Sequence, residues 1–275
     1  MKLYLGCGND KKKGYINCDI SPSVISGKAT NVLKFNGERV VIGSTPQHIE
    51  YEHLERYAYA KKFVKNKIVL DIACGTGYGS AKLSEYGAKK VIAGDIFSNA
   101  IKYAKKNYKR NNVEFKILDC EKINLPNNSI DIVISFETIE HIPNYIKFIQ
   151  EVKRVLKQNG TFICSSPNKK ITSPFTKNPL NSFHVKEFKI EELSKILDKE
   201  GFEILKIIGQ SFVNNNLKFK IKNFIRSYFG FTAKFYKMFL KSTTCFESAK
   251  NVNNISNILN SKLEPTYFIL VTKKK

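Results

Sequence analysis

V-L-D-I-A-C-G-T-G-Y-G, residues 69–79, decides how the rest of this chain is read. The stretch K-I-V-L-D-I, residues 67–72, ends in an acid, Asp71, and glycines follow at 75, 77 and 79. Such a pattern predicts a buried strand, a tight loop and a helix over about 78–87. Glycine lets backbone approach a ligand closely, and the first turn of a helix offers N–H groups with no partner inside it. The spacing G-x-G-x-G differs from the G-x-G-x-x-G of a dinucleotide fold. Asp95 ends the next apolar run, V-I-A-G-D, twenty residues after Gly75. An acid at that strand end can bind both hydroxyls of a ribose; taken alone it reads as a turn or cap residue.

Working outward, apolar runs alternate with helical patterns. A helix is expected from Ser98, a good N-cap, then strands at V-E-F-K-I-L (113–118) and D-I-V-I-S-F (131–136). Residues 142–156 read as a helix, with Gly160 shortly after its end, and T-F-I-C-S-S (161–166) as a fifth strand. I-E-E-L-S-K-I-L-D-K-E-G (190–201) reads as a helix closed by Gly201, F-E-I-L-K-I-I-G (202–209) as a sixth strand and P-T-Y-F-I-L-V-T (265–272) as a seventh. The expected fold class is α/β, a Rossmann-like seven-stranded, mostly parallel sheet with helices on both faces and a helical insertion before the last strand.

Composition narrows the function less than the motifs do. The 275 residues carry 46 basic and 24 acidic side chains, a net charge of +22. A basic surface suits nucleic acid, anionic lipid or a phosphorylated substrate. Yet arginine occurs only at 39, 56, 110, 154 and 226, so the excess is lysine, as in the proteins of AT-rich genomes. No apolar run reaches about 18 residues, so no transmembrane helix is expected. The start, M-K-L-Y-L-G-C-G-N-D, turns polar too soon for a signal peptide. The six cysteines form no C-x-x-C pair, which points to reduced thiols and a cytoplasmic location.

The motifs together resemble those of the class I S-adenosylmethionine-dependent methyltransferases. V-L-D-I-A-C-G-T-G-Y-G is similar to their first motif, with Ala73 where many members have glycine. A-G-D-I resembles the ribose-binding motif, and I-L-D-C-E (117–121) the segment that meets the adenine. F-E-T-I-E-H-I and V-L-K-Q-N-G-T-F-I resemble the motifs after the fourth strand and at the fifth. The resemblance implies S-adenosyl-L-methionine as cofactor. It assigns Asp71, Ala73, Cys74, Gly75 and Gly77 to its methionyl part, Asp95 and Ile96 to the ribose, and Asp119 and Cys120 to the adenine. Upstream, Y-E-H-L-E-R-Y-A-Y-A (51–60) resembles the helix that covers the cofactor, with Glu52, Arg56 and Tyr57 as site or packing residues.

S-F-E-T-I-E-H-I, residues 135–142, falls at the carboxyl edge of the sheet, where the acceptor must sit. Methyl transfer needs a nucleophile aligned with the sulfonium methyl, and a hydroxyl must also lose a proton. If this segment is helical, Glu137, Glu140 and His141 share one face. Three roles are open to them: holding a divalent cation, metal-free catalysis or orientation, and packing. The E-x-x-E-H spacing resembles the ubiquinone-pathway O-methyltransferases and the enzymes that methylate small-RNA 3′ ends. That resemblance implies a divalent cation such as Mg or Mn on Glu137, Glu140, His141 and His184, the last a loop-packing residue if no metal is held. His48 and His53 belong to the upstream cover.

The domain reading is residues 1–35 as an extension resembling a truncated methyltransferase start, with its own Gly6, Gly8 and Asp19; 36–66 as linker and cover helix; 67–209 plus 265–275 as core; and 210–264 as a basic amphipathic helical insertion. From Lys206 to Lys241 there are eight basic residues and no acid. A cap over the substrate, or peripheral membrane or partner contact through 210–245, would use that face. G-E-R (37–39), S-S-P-N-K and F-H-V-K-E-F add to the likeness to bacterial methyltransferases of the ubiquinone type. The expected activity is methyl transfer to a hydroxyl of a small molecule or sugar. RNA 2′-O-methylation and a non-enzymatic cofactor-binding protein with a docking helix are the alternatives; no RNA-binding module is recognisable.

Overall fold

The computed structural model describes residues 2–4, 15–17, 35, 39–214, 247–248 and 263–275. Two short strands, β1 (Lys2–Tyr4) and β2 (Tyr15–Asn17), pair in parallel. The first long element is α1 (Gln47–Val64). Then strands and helices alternate: β3 (Ile68–Ile72), α2 (Tyr78–Glu85), β4 (Lys90–Asp95), α3 (Ser98–Asn107), β5 (Val113–Ile117) and β6 (Ile130–Phe136). They continue through α4 (Tyr145–Val155), β7 (Leu156–Pro167), α5 (Lys169–Thr172), α6 (Ile190–Lys199), β8 (Phe202–Asn214), β9 (Glu247–Ser248) and β10 (Leu263–Lys274).

The main sheet runs β5-β4-β3-β6-β7-β10-β8-β9. The strands from β5 to β7 are mutually parallel, while β10 lies antiparallel between β7 and β8. This is the expected Rossmann-like seven-stranded, mostly parallel sheet, with the two-residue β9 added at one edge. Chain order reverses between β3 and β6, the switch point where ligands of such sheets bind.

Period-two alternation explains the two faces. Leu70 and Ile72 of β3 join Phe148, Ile149 and Val152 of α4 and Leu193 and Leu197 of α6. Val69 of the same strand joins Leu54, Tyr57 and Ala60 of α1 and Leu83 of α2. In α4 the buried residues 148, 149, 152 and 155 recur at helical spacing, so one stripe faces the sheet.

Several boundaries differ from the sequence reading. Phe97, not Ser98, holds the N-cap position of α3, and Ser98 is its first helical residue. The helix expected over 142–156 starts at Tyr145; before it lies a single 3₁₀ turn, Ile139–His141. Pro143 disfavours helical backbone at Ile142, which is extended, and Asn144 then caps α4 by accepting from the Lys147 N–H. Gly160 falls shortly after the end of the helix, as read. It lies inside β7, where an added Cβ would come within 2.8 Å of the Lys157 carbonyl oxygen and 3.1 Å of that of Asp131. β8 runs on through Asn214, into the stretch read as the start of the insertion. The amphipathic segment 215–246 and the loop carrying Gly6 and Gly8, with Asp19, lie outside the described residues. Among the described residues, Cys74, Cys120 and Cys164 are free thiols and no helix is long and apolar enough to cross a membrane.

Candidate active site

The loop after β3 turns by left-handed backbone at three positions: Ala73 (φ 60°), Gly75 (φ 55°) and Gly77 (φ 88°). Gly77 also has no room for a side chain, since a Cβ there would fall 2.6 Å from Ala104 and 2.7 Å from the Phe115 ring. The N–H of Cys74, which is buried, bonds the Gly94 carbonyl at 2.9 Å, tying the loop to β4. Asp95 then clasps both walls of the crevice. Its carboxylate accepts from the Gly75 N–H at 2.8 Å and the Phe97 N–H at 2.9 Å.

Asp71 faces the other way, beneath the loop. It is buried and accepts from Ser80 at 2.5 Å and Tyr57 at 3.2 Å, and burial pushes its carboxyl up to about 7. Tyr57 packs so closely on α2 that a Cβ on Gly79 would lie 1.9 Å from its ring. Asp71 therefore braces α1 and α2 against the loop. Ile96, at the end of β4, is exposed. Asp119 accepts from the Glu121 N–H at 2.8 Å, and the neighbouring Cys120 is half-buried, its thiol raised to about 12 by burial and then by Asp119.

At the ends of β6 and β7 the residues of S-F-E-T-I-E-H-I separate. Glu137 is not helical: it takes left-handed backbone (φ 50°), and its N–H donates to Ser165 Oγ at 3.0 Å. Ser165 in turn donates to Glu137 Oε1 at 2.6 Å, and Arg56 Nη2 stands 3.8 Å from the same oxygen. The single helical face expected for Glu137, Glu140 and His141 is therefore absent. Glu140, His141 and His184 come together instead, each offering one ligand atom within 4.8 Å of the others. Glu137 stands outside that set.

The tautomers of both imidazoles follow from their partners. His141 Nδ1 lies 2.9 Å from the Phe183 carbonyl oxygen, which can only accept, so Nδ1 carries a proton, and Nε2 stands 3.9 Å from Glu140 Oε1. His184 Nδ1 lies 2.7 Å from Glu187 Oε1, while its Nε2 faces the Asn181 amide at 2.9 Å. The rings meet edge to face at 4.9 Å. Glu187 is buried; although burial opposes it, hydrogen bonds from His184 and then Thr172 hold its carboxyl below the usual range. Glu140 is the unusual member. Its side chain is buried and neither carboxylate oxygen has a hydrogen-bond partner. Burial, and then the charge of Glu137, hold it well above the usual carboxylate range.

Behind Glu137 lies a buried polar network that the sequence left half open. Glu52, Arg56 and Tyr57 of α1 are all buried. Arg56 Nε donates to Gln210 at 2.8 Å, and Gln210 Nε2 donates to Glu55 at 2.7 Å and to the Glu52 carbonyl at 2.9 Å. Ser211 donates to the Glu52 carboxylate at 2.5 Å, the Tyr267 ring lies 4.8 Å from the Arg56 guanidinium, and Arg56 Nη1 has no partner. His53 bonds Tyr78 at 3.0 Å and serves the packing of α1 on α2. Sequence reasoning missed Ser165, Glu187 and Gln210. H-V-K-E, with an acid three residues after His184, was the available signal for Glu187; Gln210 had none.

Comparison with known proteins matches these motifs to a family. Residues 70–164 fit the model of a methyltransferase domain. A probable S-adenosylmethionine-dependent methyltransferase of Mycolicibacterium smegmatis is 31% identical over 180 residues, covering 65% of this chain and 69% of that protein. A mitochondrial ubiquinone biosynthesis O-methyltransferase of Dictyostelium discoideum is 29% identical over 182 residues, covering 55% and 57%. Among solved structures, a methyltransferase of Bacillus halodurans superimposes with a TM-score of 0.54 at 19% identity, covering 82% of this chain and 99% of that one, which supports the fold alone. With the glycine loop, the paired acids of β3 and β4 and a relative aligned over two thirds of its length, the chain belongs to the S-adenosylmethionine-dependent methyltransferases.

Proposed function

We propose that this methyltransferase acts on a hydroxyl group of a small molecule or sugar, and that Glu140, His141 and His184 hold a divalent cation beside it. The observation that carries this reading is the Glu140 side chain, buried with neither oxygen hydrogen-bonded and Oε1 3.9 Å from His141 Nε2. A buried carboxylate without donors is costly, and native sites rarely keep one without a purpose. The histidines are arranged as metal ligands commonly are, with each Nδ1 hydrogen-bonded to an oxygen, and His141 Nε2 stands 3.9 Å from Glu140 Oε1. His184 Nε2 is held by one neutral hydrogen bond from Asn181, which a cation can displace. Two imidazoles and one carboxylate suit Mn better than Mg, which prefers oxygen donors. The likeness to a ubiquinone biosynthesis O-methyltransferase supports an oxygen acceptor.

S-adenosylmethionine supplies a methyl group already activated on a sulfonium, and a cation supplies Lewis-acid withdrawal of charge from the acceptor hydroxyl. The remaining work belongs to the chain. Glu137 reaches solvent, with its side chain 14% exposed, and is fixed by Ser165, so it is placed to take the hydroxyl proton. A metal-free reading rests on His141 as the base, its ring oriented by the Phe183 carbonyl. Calorimetric titration with Mn²⁺, Mg²⁺, Co²⁺ and Zn²⁺ separates the two. Saturable one-site binding by the wild type, lost in a Glu140→Ala/His141→Ala variant, supports the cation. Absence of such binding in the cofactor-loaded wild type returns the proton to His141.

A further inference from the structure

The motif G-E-R at 37–39 has no place yet in the site, but Arg39 does. Its side chain lies across the glycine loop: a Cβ built on Gly75 would sit 3.8 Å from Arg39 Cγ. Its guanidinium carbon stands 4.6 Å from the centre of the Phe97 ring. Gly75 and Phe97 both grip Asp95 by their N–H groups, at 2.8 and 2.9 Å. Arg39 thus spans the crevice from one wall to the other, above the acid expected to bind the ribose.

The backbone that carries it is anchored. Thr76, inside the glycine loop, donates its hydroxyl to the Val40 carbonyl at 2.8 Å. Val40 and Val41 are buried. The Thr45 hydroxyl accepts from the Val41 N–H at 2.8 Å, and the Val41 carbonyl accepts from the N–H groups of Ser44 and Thr45. A segment pinned to the loop on one side and closed by its own turn on the other holds the arginine stem in place. An ordinary surface arginine has neither restraint.

We propose that Arg39 is a cofactor-binding residue that lies on the adenosine half of S-adenosylmethionine, stem on the glycine loop and guanidinium beside the ribose and adenine. The inference rests on the cofactor assignment of the family. Chemistry favours the adenosine end. A guanidinium is a flat donor fork that stacks on aromatic faces and donates to ring and hydroxyl oxygens. Phe97 follows Asp95 by two residues, on the ribose side of the crevice, so the charge is displaced from the methionyl end that the glycine loop serves.

The test uses the full chain and two ligands, S-adenosylhomocysteine and 5′-methylthioadenosine, which share the adenosine and differ in the amino-acid tail. Arg39→Met keeps an unbranched apolar stem on Gly75 and removes the guanidinium. By calorimetry it is expected to bind both ligands about tenfold more weakly, with an unchanged melting temperature of the free protein. Phe97→Leu leaves the backbone N–H to Asp95 intact and removes the ring; its loss and that of Arg39→Met are expected to overlap rather than add in the double variant. Unchanged affinity in Arg39→Met overturns the proposal. A loss confined to S-adenosylhomocysteine also overturns it, because the guanidinium would then serve the carboxylate. Failure of the wild type to bind either ligand strikes the cofactor assignment instead.

Discussion

The ends of β3, β4 and β5 and the ends of β6 and β7 both bury acids, Asp71 and Asp95 at the first and Glu140 at the second, but they differ in what else departs from the ordinary rules of burial. At the first, large apolar side chains stand in water: Ile96, Phe97 and Ile117 are 57%, 58% and 60% exposed. At the second, ionisable groups are hidden from water: Glu52, Glu55, Arg56 and Glu140 are buried, and Arg56 Nη1 and both Glu140 oxygens lack a hydrogen bond. An exposed apolar wall is completed by a flat apolar ligand, and a buried charge by an ion or a hydrogen-bonding group. On the proposed reading, the same sheet edge offers the cofactor and the acceptor different chemistries.

The contrast is broken most directly at Arg56. It is the cation set among Glu52, Glu55 and Glu137; burial opposes its charge most, but the summed attraction of its neighbours, led by Glu137 and then Glu52, raises its pKa. Arg56→Met leaves those acids uncompensated and should cost about 3–5 kcal/mol in urea unfolding, as removal of one partner from a buried ionic network does. Adding Glu137→Gln should restore part of that loss. A cost under about 1 kcal/mol would mean that the network is hydrated and that the two halves differ less than their burial implies.

Sequence proximity explains why one half was legible and the other was not. Asp71, Ala73, Cys74, Gly75 and Gly77 form one continuous motif whose conformation depends on backbone chirality and close packing, which residue type reveals. The alternation of strands was equally visible because each has one face on each core layer. The acceptor half is assembled from afar. Arg56 meets Gln210 across 154 residues, and Glu137 meets Ser165 across 28. Helical spacing suggested a common face for Glu137, Glu140 and His141, and the left-handed Glu137 together with Pro143, six positions later, removed it. His184 joined the site through a loop tied to Glu140 by the N–H groups of Val185 and Lys186, at 2.8 and 3.0 Å, which periodicity cannot report.

A smaller effect sharpens the electrostatic side of the comparison. Burial pushes Glu55 up to about 7, against the Gln210 hydrogen bond and the charge of Arg56, which lower it. A carboxyl whose folded pKa is raised stabilises the fold below its unfolded pKa, and that contribution is lost as pH rises through about 7. Glu55→Gln keeps an oxygen for Gln210 and cannot ionise. Relative to the wild type it should be near neutral at pH 5 and more stable by about 2 kcal/mol at pH 9. Comparing the two proteins removes the parallel titration of Asp71, which is also raised to about 7. A difference independent of pH would show that Glu55 ionises as it would in water.

The smallest expected effect lies in the cofactor half, at Ala73. Left-handed backbone costs an L-residue about 1–2 kcal/mol, and Ala73 adopts it at φ 60°. Glycine avoids that strain but loses about 0.5–1 kcal/mol more chain entropy on folding. Ala73→Gly should therefore stabilise the protein by about 0.5–1 kcal/mol, read as a rise in the urea midpoint at constant slope. Cofactor affinity is the more telling readout. If the strained alanine merely tolerates its place, affinity stays level while stability rises. If affinity falls, the methyl group itself stiffens the loop that presents Gly75 to Asp95, and the cofactor half relies on stored strain as the acceptor half relies on stored charge.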